Sequence, residues 1–140
     1  MNLLRLIPCI ATLVLTGCGT LTDGWINRWT EPSAKDRIML VRTEPPSFGH
    51  RRLLLQARLY PDLALFLGQH GLPGFIAEIT NRERHYIILY YLTDRQAFAC
   101  RTKGKGSQQI EFSGPYPITQ REYKTLQGYR HQAERARSVE

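Results

Sequence analysis

The chain has 140 residues, room for one modest domain with a small core, and it carries 19 Lys and Arg against 12 Asp and Glu. The net charge of +7 points toward acidic partners. The apolar run nearest the start, Leu6 to Leu15, is too short to be a membrane-crossing helix, which needs roughly 20 residues.

That run has a specific setting. Met1 to Arg5 precedes it with one positive charge, on Arg5. The run is broken only by Pro8, Cys9 and Thr12, and its length suits the apolar part of a secretory signal, about 7 to 15 residues. Leu15-Thr16-Gly17-Cys18 follows at once, with small residues ahead of the cysteine that let the chain lie extended in a peptidase cleft. These four residues resemble the lipobox of bacterial lipoprotein signals, a resemblance confined to the first 18 residues. It implies cleavage before Cys18, diacylglycerol on the Cys18 thiol and an N-acyl chain on the new amino terminus. No cofactor is expected beyond this covalent lipid. The alternatives are a core helix that contains a cysteine, against which the order of charge, apolar run, small residues and cysteine speaks, and an uncleaved anchor. Each buried methylene contributes about 0.8 kcal/mol, so two or more acyl chains hold the chain stably at a membrane.

The expected organisation is therefore a signal peptide over 1–17, a lipidated tether over 18–36 and a domain over 37–140 with a frayed tail. Gly19 and Thr20, not Asp, follow Cys18. For lipoproteins of Gram-negative bacteria this implies the outer membrane, facing the periplasm. An exported chain is not expected to meet nucleic acid, although basic proteins often bind it. Its acidic partners would be phospholipid head groups, lipopolysaccharide phosphates or peptidoglycan carboxylates. A solvated basic surface is the plainer reading of the charge. Once Cys9 leaves and Cys18 is acylated, Cys100 has no disulfide partner, and Ala97-Phe98-Ala99-Cys100 is a setting for a buried, inert thiol.

Along the tether, Trp25 and Trp29 stand one helical turn apart, placed either to rest at the head-group level or to fold back on the domain. Ile38 to Val41 is a short strand or an extended lead-in, and Pro45 and Pro46 make the next segment irregular. Residues 50–59 are ambiguous: Leu53, Leu55, Ala57 and Leu59 alternate as in a strand, while Leu54, Leu55, Arg58 and Leu59 suit a helix. A helix is predicted over 61–70 from Leu63, Phe66, Leu67 and His70, with Pro61 and Asp62 in its first turn and Gly71 and Pro73 to stop it. Four strands of an antiparallel meander follow, over 75–80, 85–92, 96–101 and 108–113. The second is apolar on both alternating sets, as in a strand covered on both faces. Thr119 and Glu122 form a capping box, and Ile118 and Tyr123 a hydrophobic staple, at the start of a C-terminal helix that frays beyond about Tyr129. The fold class is α+β: one small domain, a four-stranded antiparallel meander with a preceding helix and a C-terminal helix.

No catalytic constellation stands out. His50, His70, His85 and His131 lack metal-ligand spacing, and there is no Gly-x-Ser-x-Gly elbow. Gly104-Lys105-Gly106-Ser107 lacks the spacing of a phosphate-binding loop, and Glu78 and Glu83 flank a hairpin as ordinary surface acids. Neither catalytic nor metal-ligating residues are assigned. Two features suit recognition. Arg82, Arg84, Arg101, Lys103 and Lys105 would gather at one end of a meander, where they suit phosphates or carboxylates, with a solvated loop set as the alternative. Tyr86, Tyr90, Tyr91 and Phe98 form an aromatic group for the core or for a partner. The helix ending Leu67-Gly68-Gln69-His70-Gly71-Leu72-Pro73, followed by aromatic strands, is loosely similar over 59–101 to the small lipoproteins that accompany outer-membrane β-barrel assembly machinery. That family's usual Trp-Tyr strand signature is missing, and the C-terminal helix is an addition. The expected function is a non-catalytic binding or accessory module for an envelope protein partner. The alternatives are direct binding of an anionic lipid or glycan through the basic tips, and an enzyme.

Overall fold

Ser47 decides how the described part of the chain begins. In the computed structural model, which describes residues 38–80 and 85–139, strand β1 (Ile38–Leu40) leads through a turn to helix α1 (Phe48–Leu59). The Ser47 hydroxyl donates to the Leu40 carbonyl at 2.6 Å and accepts from the backbone N–H of Arg42 at 3.0 Å and of His50 at 3.2 Å. One side chain thus caps the helix and ties it to the strand. Helix α2 (Pro61–His70) follows with Pro61 at its first position, and Gly71 ends it at φ 78°, a conformation glycine adopts without strain. Strands β2 (Phe75–Thr80), β3 (His85–Tyr91), β4 (Gln96–Thr102) and β5 (Ile110–Pro117) come next, and helix α3 (Gln120–Arg137) closes the chain. The lipobox residues, Cys18, both tryptophans, Glu83, Arg82 and Arg84 lie outside the described residues.

The fold is α+β, and its sheet is antiparallel with order β1-β2-β3-β4-β5. Five strands stand where the sequence predicts four. The added one is β1, where Ile38, Met39 and Leu40 pair with Ala77, Ile76 and Phe75. Three residues are too few for alternation to declare a strand. The ambiguous segment 50–59 is helical, because Gly49, Leu53 and Gln56 share the buried face while Leu55 and Leu59 point outward. β5 runs four residues past its expected end, to Pro117. As an edge strand it tolerates Pro115, which has no N–H to give a neighbour. α3 continues past Tyr129 to Arg137. Its final turns are polar but rich in good helix formers, and Arg135 and Arg137 suit the negative end of the helix.

β3 is covered on both faces. On one side Ile87, Leu89 and Cys100 meet Leu53 of α1 and Leu63 and Leu67 of α2. On the other, Phe75, Ile88, Tyr90 and Ala97 meet Leu126 of α3. Thr119 and Glu122 make the capping box: Glu122 accepts from the Thr119 N–H at 2.8 Å, and Thr119 Oγ1 accepts from the Glu122 N–H at 3.3 Å. Ile118 and Tyr123 both join the cluster beneath α3.

Candidate functional site

α3 covers only part of its face of the sheet. Register places Ile88, Ala99 and Ser113 in one row across β3, β4 and β5, and Tyr86, Arg101 and Glu111 in the next. Beyond the helix these rows border an open groove of about 520 Å³, lined by Tyr86, Ala99, Arg101, Glu111, Ser113 and Tyr116. The small side chain of Ala99 leaves room at the groove floor. A register shift opposite Ala97 and Ala99 carries Tyr116 to a position beside Ala97, and its hydroxyl hydrogen-bonds Ser113. Arg101 donates from Nε to Glu111 at 2.8 Å and from Nη2 at 2.7 Å. The groove therefore offers an ion pair, hydroxyls and aromatic surface together.

Of the predicted cationic cluster, Arg101, Lys103 and Lys105 lie among the described residues. The β2–β3 and β4–β5 connections do leave the sheet at the same end, as Thr80 opposite His85 and Thr102 opposite Ile110 require. Arg101 sits on the strand in its pair with Glu111, while Lys103 and Lys105 stand exposed on the connection. The aromatic group divides between faces: Tyr90 is buried beneath α3, whereas Tyr91 and Phe98 pack beneath α1 and α2. The Tyr91 hydroxyl donates to the Gly71 carbonyl at 2.9 Å, and burial pushes its pKa up to about 12. Phe98 meets the rings of Phe66, His70 and Tyr91, so its role is packing. Cys100 is buried and unpaired, and burial pushes its thiol up to about 12, far from a nucleophile's range at neutral pH.

Glu78 is no ordinary surface acid. It lies on the α1 face of the sheet and accepts from Arg52 Nε at 2.8 and 2.9 Å, with His85 Nε2 at 3.7 Å. Burial pushes its pKa up, but the attraction of His85 and the paired bonds from Arg52 outweigh this and leave it below the usual 4.5. A carboxylate with a depressed folded pKa adds stability that is complete above its unfolded value. That stability is lost as pH falls through the folded pKa. Urea unfolding across acidic pH should therefore show wild-type stability beginning to fall near 4.5. Glu78→Gln should flatten that limb and cost about 1–2 kcal/mol at neutral pH, the lower end reflecting an Arg52 that is 38% exposed.

Two of the other histidines have local partners, whereas His50 buries an Nδ1 that no hydrogen bond meets. His70 stacks on Phe66 with centroids 4.0 Å apart, and His131 lies 3.6 Å from Glu134 on the exposed side of α3. Among the described residues no three His, Cys, Asp or Glu side chains group closely enough to hold a metal ion, and no helix is long and apolar enough to cross a membrane. The groove residues Ala99, Glu111, Ser113 and Tyr116 were not singled out by the sequence. The only signal for them was the alternation of Glu111 against Ile110 and Phe112, which sets it on the face shared with Arg101. Comparison of the chain with protein-family models, with curated proteins and with solved structures found no match.

Proposed function

We propose that this chain is a lipid-anchored protein of the bacterial envelope, held by acylated Cys18, and that its domain is a non-catalytic binding module for a protein partner. The anchor rests on Leu15-Thr16-Gly17-Cys18 behind a basic start and a short apolar run. The choice of a protein partner rests on one observation, the mixed lining of the groove. A polyanion is best met by cations alone. Here Arg101 is matched by Glu111, with Ser113 and Tyr116 hydroxyls beside them. That set suits a polypeptide, which brings donors and acceptors together with apolar side chains. Anchoring at a membrane would confine module and partner to a thin layer, where even weak contacts gain from high effective concentration.

The test is crosslinking in cells, with a photoreactive amino acid replacing Ser113 in the groove or Lys124 on the exposed side of α3. The expected result is a discrete protein adduct from position 113, absent from position 124 and lost when Cys18→Ala is exported with a non-lipoprotein signal. Adducts only to lipid or glycan would overturn the protein-partner reading. Lys103 and Lys105 would then be the residues to change, since binding of an anionic polymer through the exposed tips should weaken with salt and collapse in K103E/K105E.

A further inference from the structure

Seven large apolar side chains are exposed among the described residues, and all but Val139 fall between Phe48 and Leu72. The clustering follows from the helical layer. α1 turns Gly49, Leu53 and Gln56 to the sheet, so that Phe48, Leu54, Leu55 and Leu59 project from its other side, interleaved with exposed Arg51 and Arg58. Phe48 is 68% exposed, and Leu65 on α2 is 67% exposed. α2 lies in the same layer, since its Leu63 and Leu67 join Leu53 in one core cluster. Between residues 48 and 72 the only acid is Asp62, and it is turned toward the sheet, where it accepts from the Ile110 N–H at 3.3 Å. Arg52 and Glu78 offset each other, which leaves the outward charge positive.

From this arrangement we infer that the outer surface of the α1–α2 layer lies against an anionic lipid bilayer. A helix with bulky apolar side chains and arginines on one side, and no outward acid, is built to sit at the head-group level. Its leucines and phenylalanine enter the acyl boundary while the guanidinium groups reach lipid phosphates. A second copy of the chain is a poorer occupant, because a two-fold contact through this face would set Arg51 and Arg58 against like charges. The orientation also leaves the groove, on the opposite face of the sheet, pointing away from the lipid. The inference builds on the reading of the chain as membrane-anchored, but the surface itself is independent of how Cys18 is modified.

The experiment reconstitutes the full chain, purified from the membranes of its expression host, into three-to-one phosphatidylcholine–phosphatidylglycerol vesicles that contain brominated lipid. An environment-sensitive fluorescent amino acid replaces Leu55 in one preparation and Lys124 of α3 in another. The expected result is severalfold stronger quenching at position 55 than at 124, with the difference lost in R51E/R58E. Equal quenching at the two positions would overturn the inference, as would a difference that R51E/R58E leaves unchanged. So would a position-55 signal that tracks protein concentration rather than lipid, the mark of a second copy. Intact-mass spectrometry of the same samples reads acylation of Cys18 separately. A chain lacking acyl groups would sink the anchor while the quenching still decides the surface.

Discussion

Phe75→Ala should cost about 3–5 kcal/mol, a large share of the about 5–15 kcal/mol that separates a folded domain from its unfolded chain. Phe75 is 1% exposed at the first position of β2, between Leu40 on β1 and Tyr90 on β3. Its ring belongs to the cluster that joins β2, β3 and β4 to Leu126, Tyr123 and Tyr129 of α3. Truncation removes the apolar area and leaves a cavity that a sheet fixed by hydrogen bonds on both sides cannot close. Urea unfolding followed by circular dichroism measures the loss as a lower midpoint with an unchanged slope. Leu65→Ala supplies the contrast. That side chain is 67% exposed on α2, and its removal should change stability by no more than about 0.5 kcal/mol. Equal effects from the two substitutions would mean that the α3 side of the sheet is not the core described here.

What the sequence made legible is what local chemistry alone decides. The helix over 61–70 has both its boundaries written in residues with one preferred position: Pro61 opens it, and Gly71 closes it at a φ of 78°. Thr119 and Glu122 mark the start of α3 because their reciprocal bonds span only three residues. β3 announces its central place by being apolar on both alternating sets, and it is buried on both faces. The failures are long-range. β1 exists because residues near 76 offer a free edge, and its three residues carry no period of their own. In α1 the alternation of Leu53, Leu55, Ala57 and Leu59 imitates a strand because the outward Leu55 and Leu59 fall in period with the buried Leu53.

The candidate site was less legible than the fold, for a related reason. Arg101 reads as one of five clustered cations until its partner across the strand, Glu111, is placed by register. Tyr116 reaches the groove only through a shift in pairing that no spacing in the sequence announces. Sequence shows where charge is but not what it faces. The same limit hid the outer face of the helical layer: six exposed apolar residues between Phe48 and Leu72 look like core residues until the opposite side of α1 is seen to bury Gly49, Leu53 and Gln56.

Gly49 provides the other large expected effect, and it tests the joint between β1 and α1. Gly49→Ala should destabilise the domain by about 3 kcal/mol, the upper end of what added volume costs in a packed site. A Cβ there would run into the Leu40 carbonyl oxygen and come within 2.9 Å of the Met39 Cβ. The colliding atom is strand backbone, held by the Ser47 hydroxyl on its own oxygen, so it cannot swing aside as a flexible side chain would. Helix propensity works in the opposite direction, since alanine is favoured over glycine within a helix by about 1 kcal/mol. Gly68 isolates that opposing contribution. It lies in α2, where a Cβ would meet no atom within 4 Å beyond its chain neighbours and the local helix backbone. Gly68→Ala should therefore raise stability by up to about 1 kcal/mol while Gly49→Ala lowers it. Urea unfolding of the two variants side by side reads the difference, because one exchange of side chains then gives opposite signs in two helices of one domain. If both variants gain stability, α1 does not press on β1, and the five-stranded sheet loses its first strand.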